Sequence, residues 1–495
     1  MIGQFPWEPF PPGEPDPKGP DPVHSLAFRA AVTAADAYHA VRLAVRREAG
    51  TLRVGNRFVP DGRYREVGFL AFGNAANSMA LGALHAVGDR LTQGFVAGPD
   101  PVLPDLPFRG VAVSPGWPGD PAAQSVVAAA KELAAELGEQ DLLLVLLSSG
   151  ALRLLAEPPE GMTPPDFARL LELAHARGAT GREVGLLARV LGTGGVGGRL
   201  ASAVPRAEVA TLIVDRGDGP TVLGGGPMQP VRAAERDEVA ALLVRTGLQD
   251  ALPSEHGDAL PPGPASSPAV RVARPVVVTS PGDALRAASD AVFDKGWTVR
   301  LAFLDLRDGP ETAAERFLER SEALFRAEAL DSASRTKGLA TFAMATLGLP
   351  EGVDEGPALG RFLARARELL RRREMSVGLF RTGGDLRAPR SSAELVATYH
   401  PIDRAALDRL RSNGELTAAE SLLLAERLPL PERSRAGPPP PRTGPAFPPG
   451  AVVGAPTEPG GKVYPPNRAR AVRMRSGITD VGCLAVALYP RPPPA

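Results

Sequence analysis

Residues 67–91 read VGFLAFGNAANSMALGALHAVGDRL, and this stretch decides the fold. Val67 to Phe72 is an unbroken short apolar run, the length of a buried strand. Gly73 permits a tight turn. Residues 75–87 then take helical spacing. Strand, glycine turn and helix in that order form the basic unit of an α/β fold.

The same unit recurs downstream. RGVAVS (109–114) reads as a strand and residues 121–137 as an Ala-rich helix. LLLVLLSSG (142–150) opens with a strand apolar on both faces, as a parallel sheet covered by helices requires. Helices follow over 164–177 and 182–191. GTGGVGG (192–198) breaks the pattern, and ATLIVD (210–215) is a further buried strand. Upstream, residues 24–48 read as one amphipathic helix with Phe28, Val32, Ala35, Tyr38, Val41 and Val45 on one face. The alternation points to a doubly wound parallel sheet, Rossmann-like in layout.

A second, smaller α/β series begins beyond a Pro-rich stretch. RPVVVTS (274–280), TVRLAFLDL (298–306), MSVGLFRT (375–382) and the terminal CLAVALY (483–489) read as its strands. Residues 281–294, 311–329, 338–347, 357–373 and 403–427 read as helices. The expected organisation is a Pro-rich tail over 1–22, an N-terminal domain over 23–250 and a linker over 251–269. A C-terminal domain over 270–489 follows, with a Pro-rich loop at 433–450 and a tail at 490–495. A cleft is expected between the two domains.

Composition limits the function classes. The 495 residues are 44% apolar and 23% charged, the balance of a globular chain, and the formal net charge is zero. No global field draws the chain to nucleic acid or an anionic membrane. The single cysteine, Cys483, excludes an internal disulfide framework and a cysteine-based zinc site. No apolar run approaches the roughly 18 residues that span a bilayer. The N-terminus lacks the basic-then-apolar pattern of a secretory signal, so the expected location is the cytoplasm. Arginine in excess over lysine fits a GC-rich bacterial genome. The six histidines are scattered, without metal-pair or triad spacing. The strip Lys462, Arg468, Arg470, Arg473, Arg475 is locally basic but lacks interleaved aromatics apart from Tyr464, so it reads as a solvated loop rather than an RNA site.

Several blocks in order carry a resemblance. FGNAANSMALGALHAVGDRLTQGFV (72–96), VLLSSGALRLL (145–155), EPPEGMTPPDFARLLELAHARGAT (157–180), VGGRLA (196–201), ATLIVDRGDGPTVLGGGP (210–227) and GITDVGCLAVAL (477–488) resemble the two-domain glycerate 2-kinase family. The match is tightest over about residues 24–230 and looser from 270 onward. The resemblance implies transfer of the γ-phosphate of ATP to the 2-hydroxyl of D-glycerate, with magnesium. Such chemistry is mostly positioning and neutralisation of developing charge.

The resemblance also shows what is changed. Asn74 stands after Gly73 where the family has lysine, and Gly73–Asn74 otherwise reads as a plain strand-to-helix turn. Ser148, Ser149, Gly150, Ala151, Leu152 and Arg153 stand for a Ser-Gly-Gly-Gly-Ser-Ala turn, so two glycines and a serine are gone. Ser148 and Arg153 are the anion-binding candidates there; the bland alternative ends a strand at Ser148 and leaves Arg153 solvated. Gly185, Ala188 and Gly192 replace polar anchors, while Arg189 keeps the charge at a family lysine. Val196 precedes Gly197, Gly198 and Arg199. The glycine run reads as a surface loop, with a backbone anion nest as the alternative. It is not a dinucleotide fingerprint, because it follows a helix rather than a strand. Trp117 replaces a family histidine between Gly116 and Pro118. Asp215 and Asp218 are candidate magnesium ligands on a loop that also suits a plain turn. In the second domain, Arg335 of Ser334–Gly338, Gly384–Asp385 and Thr479–Cys483 keep only traces of the pattern, and Cys483 stands where the family has aspartate.

Three functions follow. One is a family member with weak or lost kinase activity that serves as a binding or complex subunit, with no cofactor. The second is an active kinase with a rearranged site, using ATP and Mg2+. There Asn74, Arg189 and Asp218 are catalytic, and Asp215 and Asp218 hold the metal. Gly73, Ser148, Ser149, Gly150, Arg153, Gly197, Gly198 and Arg199 then bind substrate and phosphate. The third is a changed, less polar ligand lined by Leu152 and Trp117. The partners these readings allow are a hydroxy acid such as glycerate, a protein partner, and a second copy of the chain in a homodimer.

Overall fold

The computed structural model describes residues 22–98, 108–112, 121–204, 206–215, 226–252, 275–329, 338–345, 376–381, 394–399 and 483–490, with a few helical positions between 361 and 369. The expected tails, the linker interior, the helix over 403–427, the Pro-rich loop and the basic strip lie outside the described residues.

The helix expected over 24–48 is three elements: α1 (Pro22–Ala35), α2 (Ala37–Ala44) and β1 (Val45–Glu48). Asp36 makes the break. Its backbone is extended and its carboxylate accepts from the amides of Tyr38 (2.9 Å) and His39 (3.3 Å), the geometry of a helix N-cap. β1 pairs antiparallel with β2 (Thr51–Val54), and β2 with β3 (Arg57–Pro60).

The main unit follows: β4 (Val67–Phe72), α3 (Ala76–Val87), β5 (Leu91–Gly98), β6 (Phe108–Ala112), α4 (Pro121–Glu136) and β7 (Leu142–Leu147). Next come α5 (Ala151–Leu155), the two-residue strands β8 (Ala156–Glu157) and β9 (Thr193–Gly194), α6 (Pro164–Ala176), α7 (Gly181–Leu191), α8 (Arg199–Ser202), β10 (Glu208–Val214), α9 (Ala233–Thr246) and β11 (Val276–Thr279). Six of these strands form one sheet in the order β11-β10-β7-β4-β5-β6, and all its pairs are parallel. The chain runs outward from β4 through β5 and β6, then returns to β7 and continues the other way. The topological switch point therefore lies between β4 and β7. α3 packs its Met79 and Ala83 into the core on one face, while α4 packs Val126 and Ala130 on the other. That is the doubly wound layout expected. α6, α7 and α9 form a satellite core around Phe167, Leu171, Leu187 and Leu242.

β11 corrects the expected grouping. Its position in the sequence places it at the start of the second series, yet it pairs with β10 at the edge of the first sheet. The second sheet is built from β12 (Thr298–Leu306), β13 (Gly338–Ala345), β14 (Ser376–Arg381), β15 (Glu394–Tyr399) and β16 (Cys483–Pro490), in the order β12-β13-β16-β14-β15. α10 (Pro281–Phe293) and α11 (Pro310–Ala329) cover its two faces.

β13 is a second correction, because residues 338–347 were expected to be helical. Residues rich in alanine and leucine favour a helix locally. Here the segment is hydrogen-bonded to β12 on one side and β16 on the other. Ala340, Phe342 and Met344 enter one core, and Leu339, Ala343 and Ala345 the other. Both faces are apolar, so no polar alternation marked the strand.

One core joins the sheets. It contains Phe69, Leu146 and Leu212 of the first, Phe342, Val486 and Leu488 of the second, and Phe28 of α1 with Leu285 and Val292 of α10 between them. α1 packs along α10.

Candidate functional site

In an open parallel sheet, ligands bind outside the C-terminal strand ends at the switch point. Here that edge carries Gly73–Asn74 after β4 and Ser148–Gly150 after β7. Val67 to Phe72 pair one for one with Leu142 to Leu147, so the two turns stand side by side.

The turns are locked together. The Asn74 amide donates to the Ser149 carbonyl (2.8 Å), and the Ser148 amide to the Phe72 carbonyl (3.0 Å). The Ser148 hydroxyl accepts from the Ala75 amide (2.9 Å) and donates to the Phe72 carbonyl (3.2 Å). Both of its hydrogen-bonding roles thus serve the scaffold. Gly73 has φ of +106°, and a Cβ there would lie 2.5 Å from the Ser149 carbonyl oxygen and 2.6 Å from that of Ser148. Gly150, at φ of +88°, opens α5. Asn74 is buried. The Ser149 hydroxyl is buried with no hydrogen-bond partner among the described residues.

Leu152 does not line a cleft. It is 1% exposed and packs in the core with Leu155 and Leu200, which removes its support for a changed-ligand site. Trp117 lies outside the described residues. Arg153 sits in α5, half-buried.

Asp215 follows β10 at the same sheet edge and is buried; its amide donates to the Thr279 carbonyl (2.9 Å). The Thr279 hydroxyl in turn donates to the Ala34 carbonyl (2.8 Å), tying α1 to this edge. Asp218 lies outside the described residues, as do Ser334–Thr336, Gly384–Asp385 and Thr479–Asp480. Cys483 opens β16 opposite Ala345. Among the described residues no group of three or more His, Cys, Asp or Glu is placed to hold a metal ion.

The remaining candidates gather at the contact of α7, α8 and α9. Arg189 is 1% exposed. Its guanidinium donates to the Glu235 carboxylate and to the carbonyls of Gln229 (3.2 Å) and Pro230 (3.1 Å). Burial pulls this guanidinium below its ordinary range and the Glu235 charge pushes back. Burial alone would raise the Glu235 carboxyl, but the Arg232 amide and the two arginines outweigh it and hold the group low. Both partners are therefore charged, and they neutralise each other. Glu235 escaped the sequence reading; its signal was an acidic residue in the first turn of α9, which also suits ordinary helix capping.

The glycine run is not a surface loop: Gly194 to Gly198 are buried. A Cβ on Gly192 would meet the Ala188 carbonyl at 2.4 Å, and one on Gly198 the Pro230 nitrogen at 2.9 Å. The Gly195 amide donates to Leu155 and that of Gly198 to Gly226. Arg199 donates to the carbonyls of Gly192 (3.1 Å) and Val196 (3.3 Å). These glycines let backbone pack on backbone.

The fold and this edge define a doubly wound α/β protein with a second mixed sheet and two interlocked turns at its switch point. Residues 24–260 match a family described as a domain of unknown function, DUF4147. A Danio rerio glycerate kinase is 32% identical over 250 residues, covering 47% of this chain and 49% of that protein. A putative hydroxypyruvate reductase of Agrobacterium vitis is 31% identical over 223 residues, covering 41% and 50%. The chain thus spans about half the length of the curated relatives it matches. A glycerate kinase structure from Thermotoga maritima superposes with a TM-score of 0.58 at 18% identity, covering 94% of this chain and 99% of that one. A structure from Pyrococcus horikoshii gives 0.59 at 16%, covering 95% and 98%. Over its N-terminal half the chain is thus similar to glycerate kinases and to a putative hydroxypyruvate reductase, and the two solved structures share its fold. Among the described residues no helix is long and apolar enough to cross a membrane.

Proposed function

We propose that this protein keeps the glycerate 2-kinase scaffold while phosphoryl transfer is weak or lost, and that it acts as a binding or complex subunit. The observation that carries this reading is the engagement of Arg189. A triphosphate needs cations free to neutralise it, and this one is buried against Glu235 and two backbone carbonyls. Arg199 is likewise engaged with its own loop, and the Ser148 hydroxyl with the turn it closes.

A second reading has its own support. Asp215 and the buried Ser149 hydroxyl stand at the switch-point edge, and a small hydroxy acid is the substrate class the family relationship indicates. In that reading Asp215 and Asp218 hold magnesium, Arg153 supplies charge, and the chain phosphorylates such an acid.

The test is ATP-dependent phosphorylation of D-glycerate and a panel of other 2-hydroxy acids by the purified full chain. No product above background supports the first reading. Turnover on the order of 1 per second or faster that falls with Asp218→Ala overturns it in favour of the second.

A further inference from the structure

β11 is only four residues long and begins opposite Leu212. Among the described residues, Glu208 to Thr211 of β10 therefore have no neighbouring strand on that side. The hairpin of β2 and β3 reaches over the gap, and a Cβ on Gly55 would lie 2.7 Å from a methyl of Val276. Between hairpin and sheet edge lies a cavity of about 470 Å³. It opens at the start of β7 and β11, the opposite end of these strands from Asn74 and Ser149.

Its walls are mostly apolar, with Val54 and Val59 from the hairpin, Leu142 from β7 and Val276 from β11, and Asn56 and Thr211 add polar groups. Arg57, half-exposed, stands at the rim. Arg57 and Arg63 share one carboxylate, that of Glu208, with Arg63 at 3.7 Å. The Tyr64 hydroxyl also donates to Glu208 (2.9 Å). Two guanidiniums share this one carboxylate, which leaves one positive charge in excess beside the cavity, and of the two only Arg57 lines it. Small-molecule sites commonly have this size and this balance of apolar wall and few polar groups.

We propose that this cavity is a second binding site, independent of the kinase-like edge, for a small carboxylate with an apolar body. The body fills the space beside Val54, Val59, Leu142 and Val276, and the carboxylate meets Arg57. The excess charge selects against a neutral ligand of the same shape.

The probes are octanoate and 1-octanol, titrated calorimetrically into the full chain. Octanoate binds about tenfold or more tightly than 1-octanol. Arg57→Gln weakens octanoate by about tenfold and leaves 1-octanol unchanged, since Glu208 keeps Arg63 and Tyr64. Val59→Trp, on a partly exposed strand, fills the cavity and abolishes both while the thermal melt stays cooperative. The proposal is overturned if octanoate fails to bind at millimolar concentration. It is equally overturned if Val59→Trp leaves binding intact, or if Arg57→Gln weakens both probes alike.

Discussion

At the scale of single residues, Gly73 and Arg189 decide how the switch-point edge and its flank are read. Gly73 holds a positive φ and lies against two carbonyl oxygens. Gly73→Ala adds backbone strain of about 1–3 kcal/mol to that overlap, and chemical denaturation should show at least this loss. Arg189→Ala leaves the buried Glu235 carboxylate to Arg232 alone and removes a donor from the Gln229 and Pro230 carbonyls. Losing one member of a buried pair costs about 3–5 kcal/mol. An arginine free to bind phosphate would change stability little, so the same denaturation curve distinguishes the two roles. The sequence made both positions conspicuous, Gly73 as a turn and Arg189 as a retained charge. It did not reveal that Glu235, 46 positions away, occupies that charge, because the pairing exists only once α7 and α9 are packed.

At the scale of elements, strands rich in Leu, Val and Ile were legible and the alanine-rich one was not. β4, β7 and β10 were read as buried strands from their unbroken apolar runs, and α6 and α7 from helical spacing. β13 differs because its alternating alanines favour a helix locally, and only pairing with β12 and β16 makes it a strand. The glycine run was misread as exposed because composition cannot distinguish a flexible glycine from one demanded by close packing. α1 supplies an element-scale prediction. His24 is fully buried, and burial lowers its pKa from 6.5 to about 3. The unfolded chain binds a proton near pH 6.5 that the folded chain refuses until about pH 3. His24 therefore leaves full stability above pH 6.5, and its share is lost progressively on acidification towards pH 3. The slope is at most about 1.4 kcal/mol per pH unit. Thermal melts across this window should show the decline, and His24→Gln should flatten it.

At the scale of the whole molecule, the two sheets share one core through α1, α2, α3 and α10. Neither sheet can lose its packing on that side without exposing the other. Calorimetry should therefore show a single cooperative transition for both; two separated transitions would contradict the shared core. The two-sheet plan itself was legible in the sequence. The grouping of β11 with the first sheet was not, because strand order depends on pairing across the fold rather than on position along the chain.

We propose that Arg189 and Arg199 serve as structural ties rather than as phosphate-binding cations. The most direct test is calorimetric titration of the full chain with ATP and magnesium, with and without D-glycerate. No binding heat and no thermal stabilisation are expected at millimolar ATP. A dissociation constant in the micromolar range would contradict this assignment, since a working phosphate cradle would then exist despite the engagement of Arg189 and Arg199.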